Sequence, residues 1–287
     1  MNNFDTATQL VPRVHPLSNA GGAIISDIDL RSPISEEVEE ILRSAWRNYL
    51  VLVIRDLNIE EQHQESFCKI FGNLAGLRSK VYRTGGDTKS HALWVANAED
   101  LSRPTAVQQG EMMFHIDQCY TERPSKASTL YAVTIPDEGG NTRFSNLIKA
   151  YEGLSDDWKK RIEGLRALNY FDYQANATTR PETIDPNGPQ FLHPVVRTHP
   201  ETGRKSLFVN RQMTIFIEGL GANESDEILN YLFEMIEDPT NVYEHVWKVG
   251  DLVLWDNRCT AHARTYYDPK ESRLLRRMTV LDENPVT

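Results

Sequence analysis

The chain has no apolar run long enough to cross a membrane. Hydrophobic residues make up 40% of its 287 residues, yet no stretch approaches the roughly eighteen consecutive apolar residues of a spanning helix. The N-terminal segment Met1–Asp5 has neither the basic start nor the apolar core of a secretory signal. We therefore expect a cytoplasmic protein without a membrane partner.

Cysteine and positive charge are also scarce. Cys68, Cys119 and Cys259 are an odd number, at spacings that suit neither a disulfide framework nor a zinc knuckle. Only 31 Lys and Arg oppose 41 Asp and Glu, which gives a net charge of −10. A nucleic-acid surface needs a basic patch that releases counterions, so this charge argues against such a partner. A small anion held by local arginines is still compatible with it.

The N-terminal third combines strand and helix patterns. Ala23–Ile25 predicts a first strand, and Ser35 is placed to cap an amphipathic helix that follows it. The apolar run Tyr49–Ile54 has the length of a strand. Asn58 then predicts the start of a second helix, which ends at Gly72. Both helices are expected to cover a sheet.

From residue 91 onward, short β-rich runs are separated by Pro and Gly turns, as in barrels and sandwiches. Two helical patterns interrupt them, Leu147–Gly164 and an apolar stripe that begins at Ile228. Two stretches without periodicity, Ser79–Lys89 and Asp172–Gln190, are candidate substrate covers or plain surface loops. The length and these patterns favour a single domain, residues 1–287.

The segment Phe114–Asp117 places one histidine two residues before an aspartate. In a strand, side chains at i and i+2 leave the same face, so His115 and Asp117 would point to one place. His262 could complete a face of two histidines and one carboxylate, which leaves the opposite side of an octahedral iron(II) open. His-x-Asp alone is weak evidence, because a strand histidine that bonds a backbone group is the simpler interpretation.

The combination with later motifs is more specific. The segment Trp255–Arg264 surrounds the third histidine, and Arg273 and Arg277 follow it. With Gly139–Thr142 and the stretch His193–Asn210, the chain resembles the taurine dioxygenase and 2,4-dichlorophenoxyacetate dioxygenase family of iron(II)- and 2-oxoglutarate-dependent oxygenases. This resemblance extends over most of the chain.

The resemblance implies roles for individual residues. Iron(II) would be bound by His115, Asp117 and His262. The far carboxylate of 2-oxoglutarate would be held by Arg273 and Thr142. A group that binds the primary substrate would comprise Arg277, Gln118 and Tyr120. The cofactors are then Fe(II), 2-oxoglutarate as co-substrate, and O2.

The resemblance also implies a fold and a reaction. The fold is α+β, with a double-stranded β-helix core (jelly-roll, cupin-like) and covering helices, and we expect a homo-oligomer, either a dimer or a tetramer. The reaction is hydroxylation of a small organic anion with release of succinate and CO2. If the hydroxylated carbon bears a heteroatom, the product would break down and an ether, ester or C–S bond would be cleaved.

Two features depart from the family pattern. Many members have tryptophan where this chain has Phe114. Gln118 and Tyr120 stand where taurine-specific members have apolar and phenyl side chains, which argues against taurine. The anion is therefore left open among sulfonates, sulfate esters, phosphonates and aryloxy or aliphatic carboxylates.

Other interpretations compete with this one. The chain could be a non-catalytic jelly-roll protein that binds a metal or ligand, although structural zinc sites usually have four protein ligands. Zinc-dependent hydrolysis would leave the arginines without a clear task. Arg276 and Arg277 could be surface charges at a strand end, and Trp255 could either pack under the metal-bound rings or be an ordinary core residue. The six remaining histidines have no partner pattern and are predicted to be structural or exposed.

Overall fold

The computed structural model of the chain describes residues 11–76, 90–97, 105–107, 110–171 and 181–286. In these ranges the fold is mixed and rich in strands, with few helices. The strands are β1 (Arg13–Ser18), β2 (Gly21–Ser26), β3 (Val51–Ile54), β4 (Leu93–Ala96), β5 (Thr105–Val107), β6 (Met112–His115), β7 (Ser125–Thr134), β8 (Thr142–Asn146), β9 (Arg166–Tyr170), β10 (Gln190–Pro194), β11 (Val196–Thr198), β12 (Lys205–Leu207), β13 (Thr214–Ile217), β14 (Val242–His245), β15 (Leu252–Asp256), β16 (Thr260–Arg264) and β17 (Leu274–Leu281). The α-helices are α1 (Glu36–Tyr49), α2 (Glu61–Lys69), α3 (Leu147–Glu152), α4 (Asp156–Arg161) and α5 (Ala222–Glu237). Short 3-10 helices cover Pro181–Thr183 and Pro239–Asn241.

Two sheets carry most of the chain. An eight-stranded sheet has the order β1-β2-β3-β15-β7-β17-β4-β5, and a four-stranded sheet has the order β14-β8-β16-β6. Smaller sheets are β10-β9-β13 and β11-β12. Strands that are far apart in sequence therefore become neighbours, and the C-terminal strands lie in the middle of both large sheets.

The two large sheets share an apolar interior. Val253 and Trp255 of β15 and Leu130 of β7 belong to one buried cluster with Phe144 of β8, which is in the other sheet. Successive strand residues point to opposite faces, so Leu254 joins a different cluster, under the helices. The interior between the sheets is where the candidate site lies.

Helices cover the outer faces. Trp46 of α1 and Phe67 of α2 are buried with strand residues of the eight-stranded sheet. On the other side, Ile228 and Leu232 of α5 pack with Ala261 of β16. The apolar stripe of α5 was predicted from the sequence and is confirmed. None of the described helices is long and apolar enough to cross a membrane.

The N-terminal cap of α1 is confirmed, but the start of α2 was predicted wrongly. Ser35 caps α1 and accepts a hydrogen bond from the amide of Val38 at 3.4 Å. Helix α2 begins at Glu61 with Glu60 as its cap, and Asn58 lies outside the helix. Tertiary contacts hold the residue before the helix in place. Ile59 is buried, and its amide donates to the Tyr131 hydroxyl at 3.4 Å.

The helix predicted for Leu147–Gly164 is two helices. The first ends at Glu152, with Gly153 as its C-terminal cap, and Ser155 caps the second by accepting from the amide of Trp158 at 3.3 Å. A strand before Ala23–Ile25, β1, was also missed. One candidate cover, Ser79–Lys89, lies outside the described residues, as do residues 172–180 of the other, Asp172–Gln190.

Candidate functional site

Two neighbouring strands bring the two predicted histidines together. His115 ends β6 and His262 lies in the middle of β16, and the two residues are directly paired across the sheet. Their ring centroids are 4.1 Å apart. Asp117 does not continue the strand as predicted, because β6 stops at His115 and the chain turns at Gln118, which has φ +58°. This turn brings the carboxylate back toward the rings.

His115, Asp117 and His262 therefore form a compact, buried triad. Their potential ligand atoms lie within 4.8 Å of one another, and each residue is at most 7% exposed. The Nδ1 atom of His115 lies 3.0 Å from the carbonyl oxygen of Met113. A carbonyl only accepts, so Nδ1 carries the proton and the lone pair of Nε2 is free. The Nε2 atom of His262 lies 3.8 Å from Oδ1 of Asp117.

The protonation states suit metal ligands. Burial lowers the pKa of His115, and burial together with the neighbouring His115 lowers the pKa of His262 well below its usual value. Burial alone would raise the pKa of Asp117, but the positive charge of Arg277 and the hydrogen bond from Ser128 help to bring it below the usual range. Neutral imidazoles and an ionised carboxylate are the forms that bind metals.

A cavity beside the triad lies between the two large sheets. Its apolar lining includes Val95, Met112 and Leu130. Its polar lining includes His115, Thr142, His262, Arg264, Arg273 and Arg277. Three guanidinium groups line this small space, and burying such charges without anions is unfavourable.

Arg273 immediately precedes β17 and is 3% exposed. Its Nε and Nη2 atoms donate to the carbonyl of Gly140 at 3.3 and 3.2 Å. No carboxylate of the described chain lies within ion-pair distance of it, and burial and the nearby Arg264 lower its pKa. Thr142 lies in the same cavity, and its hydroxyl accepts a hydrogen bond from Nε1 of Trp247 at 3.0 Å.

Arg277, on β17, reaches the triad. Its Nη2 atom lies 2.6 Å from Oδ2 of Asp117 and 3.3 Å from the hydroxyl of Ser128. Its Nε atom is buried and has no hydrogen-bond partner in the described structure. Arg276 faces the other way and is not a surface charge, because its Nε donates to Oε1 of Gln64 at 2.7 Å in the core.

Gln118 and Tyr120 are not brought to this cavity. The side-chain oxygen of Gln118 accepts from the Ser125 hydroxyl at 2.9 Å, and the ring of Tyr120 packs against Phe171 with centroids 4.6 Å apart. In the described part of the chain, neither residue is among those that line the cavity. The predicted role of these two side chains in substrate binding stays a prediction.

Several residues at the site were not identified from the sequence. Ser128 donates to Oδ2 of Asp117 at 2.6 Å, and Asn257 donates to Ser128 at 3.1 Å. Trp247 and Arg264 were likewise not given a role. Of these residues, Asn257 and Arg264 lay in a motif, the segment around His262, that could have drawn attention to them. The ring of Trp255 lies beside His262, with centroids 4.8 Å apart, as expected if this tryptophan packs against the triad.

Comparison with known proteins agrees with this geometry. Residues 13–279 match the model of the taurine catabolism dioxygenase TauD, TfdA family. The alpha-ketoglutarate-dependent 2,4-dichlorophenoxyacetate dioxygenase of Cupriavidus pinatubonensis is 35% identical over 94% of this chain and 96% of its own length. The (S)-phenoxypropionate/alpha-ketoglutarate-dioxygenase of Sphingobium herbicidovorans is 30% identical over 91% of this chain and 92% of its own.

A solved structure is similar throughout. The crystal structure of AAD-2 in complex with Mn(II) and N-oxalylglycine matches with a TM-score of 0.79 at 28% identity, covering 97% of this chain and all of that one. The family match covers nearly the whole chain, and the cofactors that it implies are Fe(II), 2-oxoglutarate and O2. The chain belongs to the TauD, TfdA family and is an iron(II)- and 2-oxoglutarate-dependent dioxygenase.

Proposed function

We propose that the chain binds iron(II) through His115, Asp117 and His262 and hydroxylates a small organic anion held by Arg277. The anion is a sulfonate, a sulfate ester, a phosphonate, or an aryloxy or aliphatic carboxylate. Iron(II) with 2-oxoglutarate and O2 supplies oxidative decarboxylation to succinate and CO2, coupled to hydroxylation of a C–H bond. A hydroxylated carbon that bears a heteroatom would then lose its substituent.

The donor set supports iron(II). Two neutral imidazole nitrogens and one carboxylate oxygen are the ligands of open non-haem iron sites, whereas structural zinc sites are closed by a fourth protein ligand. In the described residues, no fourth histidine, cysteine or carboxylate joins His115, Asp117 and His262. The free Nε2 of His115 and the free Oδ1 of Asp117 are the atoms that would bind the metal.

The buried arginine supports a site for the co-substrate. Arg273 has a planar guanidinium with two hydrogen bonds to one carbonyl and no carboxylate partner in the described structure. A carboxylate can satisfy such a fork with two hydrogen bonds, which lysine cannot copy. We assign Arg273 and the Thr142 hydroxyl to the distal carboxylate of 2-oxoglutarate.

The observation that carries the substrate proposal is the free Nε–H of Arg277. A buried donor without a partner costs about 1–3 kcal/mol, and Arg277 is one of the residues that line the cavity beside the triad. An anionic substrate would relieve that cost while Nη2 keeps its contact with Asp117. The apolar side chains of Val95, Met112 and Leu130 would cover the rest of a small organic molecule.

Arg273 and Arg277 lie four positions apart at the start of β17 and reach the same cavity, so two anions could be bound side by side. The relatives support the aryloxy carboxylates among the candidate substrates, since two of them act on a phenoxyalkanoate.

The same proposal includes four further features: the jelly-roll form of the core, the single domain 1–287, the homo-oligomer and the cytoplasmic location.

The substrate proposal is tested with Arg277→Leu. Succinate and hydroxylated product are measured separately over a panel of sulfonates, sulfates, phosphonates and carboxylates. We expect slow decarboxylation of 2-oxoglutarate to survive while product formation collapses, because the co-substrate is held by Arg273. Arg143→Leu is the matched control, since Arg143 pairs with Glu244 on the surface. Equal loss of both activities, or a neutral preferred substrate, would refute the role of Arg277.

A further inference from the structure

A chain of hydrogen bonds runs from Trp255 to the triad carboxylate. Nε1 of Trp255 donates to Oδ1 of Asn257 at 2.9 Å, and Nδ2 of Asn257 donates to the Ser128 hydroxyl at 3.1 Å. The Ser128 hydroxyl donates to Oδ2 of Asp117 at 2.6 Å. Ser128 and Trp255 are directly opposite each other on β7 and β15, so the register of two neighbouring strands fixes this chain.

The direction of the chain is set at its tryptophan end. An indole N–H can only donate, so the Asn257 atom that faces it must be the amide oxygen. The amide nitrogen of Asn257 is thereby turned to Ser128, and a side-chain amide nitrogen can only donate. Nη2 of Arg277 also donates to Ser128. Both lone pairs of that hydroxyl are therefore used, and its one proton has to go to Asp117.

All three members of the chain are buried. Trp255 is 1% exposed, and Ser128 and Asn257 are 0% exposed. A buried polar group that loses its partner is costly, so a fully satisfied chain resists rearrangement. Because these side chains are buried, solvent water does not reach them to replace a hydrogen bond that a substitution removes.

We infer that Ser128 and Asn257 are positioning residues that restrict Asp117 to one metal-binding oxygen. Oδ2 accepts from both Ser128 and Arg277, while Oδ1 faces His262 and has no such donor. A carboxylate bound through both oxygens would occupy one more position on the metal. The hydroxyl of Ser128 keeps Oδ2 engaged and leaves that position open. This inference rests on the proposed role of Asp117 as a ligand.

The test uses Mn(II), a redox-inert substitute for iron(II), and calorimetric titration of the full chain. Partners of metal ligands typically contribute about 10- to 100-fold in affinity, so we expect Ser128→Ala to weaken Mn(II) binding by a factor in this range. Ser145→Ala is the matched control, because Ser145 is a buried strand serine that donates to the carbonyl of Ile236 at 2.6 Å. Its loss should leave the Mn(II) affinity unchanged.

Three further tests separate positioning from plain stability. Asn257→Ala should weaken Mn(II) binding in the wild-type background and cause no additional loss in Ser128→Ala, because it acts through that hydroxyl. The electron paramagnetic resonance spectrum of bound Mn(II) should change in Ser128→Ala and stay unchanged in Ser145→Ala. Ser128→Cys, which keeps the size and only a weak donor, should behave like Ser128→Ala.

The outcomes distinguish this inference from the proposed function. If Asp117→Ala binds Mn(II) as the unmodified chain does, the metal assignment itself is wrong. If Asp117→Ala loses the metal but Ser128→Ala keeps wild-type affinity and spectrum, only the inference about Ser128 is overturned. Losses that add fully in the double variant would likewise overturn it, because Asn257 would then act by another route.

Discussion

Two buried clusters in this chain have nearly the same composition and opposite character. One is the triad of His115, Asp117 and His262; the other comprises His199, Asp256 and Cys259, and the potential ligand atoms of each cluster lie within 4.8 Å of one another. Both are buried throughout. Distance and residue type alone would class both as candidate metal sites.

The hydrogen bonds separate them. Arg258 donates from Nε to Oδ1 of Asp256 at 2.8 Å and from Nη2 to Oδ2 at 2.7 Å. Nε2 of His199 lies 3.1 Å from the same carboxylate, and its Nδ1 accepts from the amides of Glu201 and Thr202. Every nitrogen and oxygen of this second cluster is engaged, and the pKa of the Cys259 thiol is raised by burial. We call it the closed cluster.

The triad differs because its inner atoms are free. Oδ1 of Asp117 has no hydrogen-bond donor in the described structure, and the lone pair of His115 Nε2 is unused. The pKa values do not distinguish the clusters, since Asp256, like Asp117, has a pKa below its usual range through neighbouring positive charge despite burial. What marks a binding site is therefore the set of atoms that are left without partners.

The largest expected effect comes from removing one histidine from each cluster. His262→Ala should abolish Mn(II) binding and substrate-coupled turnover, because three protein ligands are the minimum of this site. His199→Ala should keep Mn(II) binding, measured by calorimetry, and lose stability. The contrast between the clusters fails if His199→Ala loses the metal, or if His262→Ala retains it.

A large effect on stability is expected from Arg258→Leu. It leaves Asp256 buried without its guanidinium, and breaking a buried pair costs about 3–5 kcal/mol. The free energy of unfolding in urea measures it. Arg161→Leu is the control, since the exposed pair of Arg161 and Glu227 contributes only about 0–1 kcal/mol. If Arg258→Leu lowers the free energy of unfolding no more than Arg161→Leu does, the closed cluster is not structural.

The same contrast explains what the sequence could predict of the site. His115, Asp117, His262 and Arg273 stand in short motifs, and all four residues reach one small region of the structure. Ser128 has no motif, because its importance arises from the pairing of β7 with β15, more than a hundred residues away in sequence. Long-range register of this kind is not encoded in any local pattern.

For the fold, local patterns succeeded where the physical cause was local. Ser35 predicted the start of α1 because a cap acts within three residues. The helix assigned to Leu147–Gly164 was wrong because its apolar spacing continues across Gly153. In the structure α3 ends there, and Ser155 caps the start of α4. Strand β1 was missed because it contains Pro16 and is mostly exposed, as an edge strand paired only with β2 can be.

An intermediate effect is expected at the co-substrate site. Arg273→Lys should weaken binding of N-oxalylglycine to the Mn(II) form by about 1.5–3 kcal/mol, the scale of a hydrogen bond to a charged group, because lysine loses the planar fork. Calorimetry measures this affinity, and the dependence of succinate formation on 2-oxoglutarate should shift in parallel. Arg143→Lys, on the surface, should change neither. An unchanged affinity in Arg273→Lys would mean that the anion binds elsewhere.

The smallest effect is expected at Trp247, which shows how the open site keeps a donor free. Its indole N–H donates to Thr142 at 3.0 Å, so a lone pair of the hydroxyl is occupied and its proton is left to be given to an anion. Trp247→Phe keeps an aromatic ring in this buried position, although a smaller one, and removes that donor. The affinity for N-oxalylglycine should fall by about 0.5–1.5 kcal/mol, while the Mn(II) affinity stays constant.

The matched comparison for Trp247 is Thr142→Val, which removes the hydroxyl itself. If the tryptophan acts only by orienting this hydroxyl, Trp247→Phe adds no further loss in the Thr142→Val background. In the closed cluster the nitrogen and oxygen atoms bond to other protein groups. At Thr142, by contrast, the hydrogen bond from Trp247 leaves the hydroxyl proton free to be donated to a bound anion. A larger loss in Trp247→Phe than in Thr142→Val, or an altered Mn(II) affinity, would assign Trp247 to packing of the core instead.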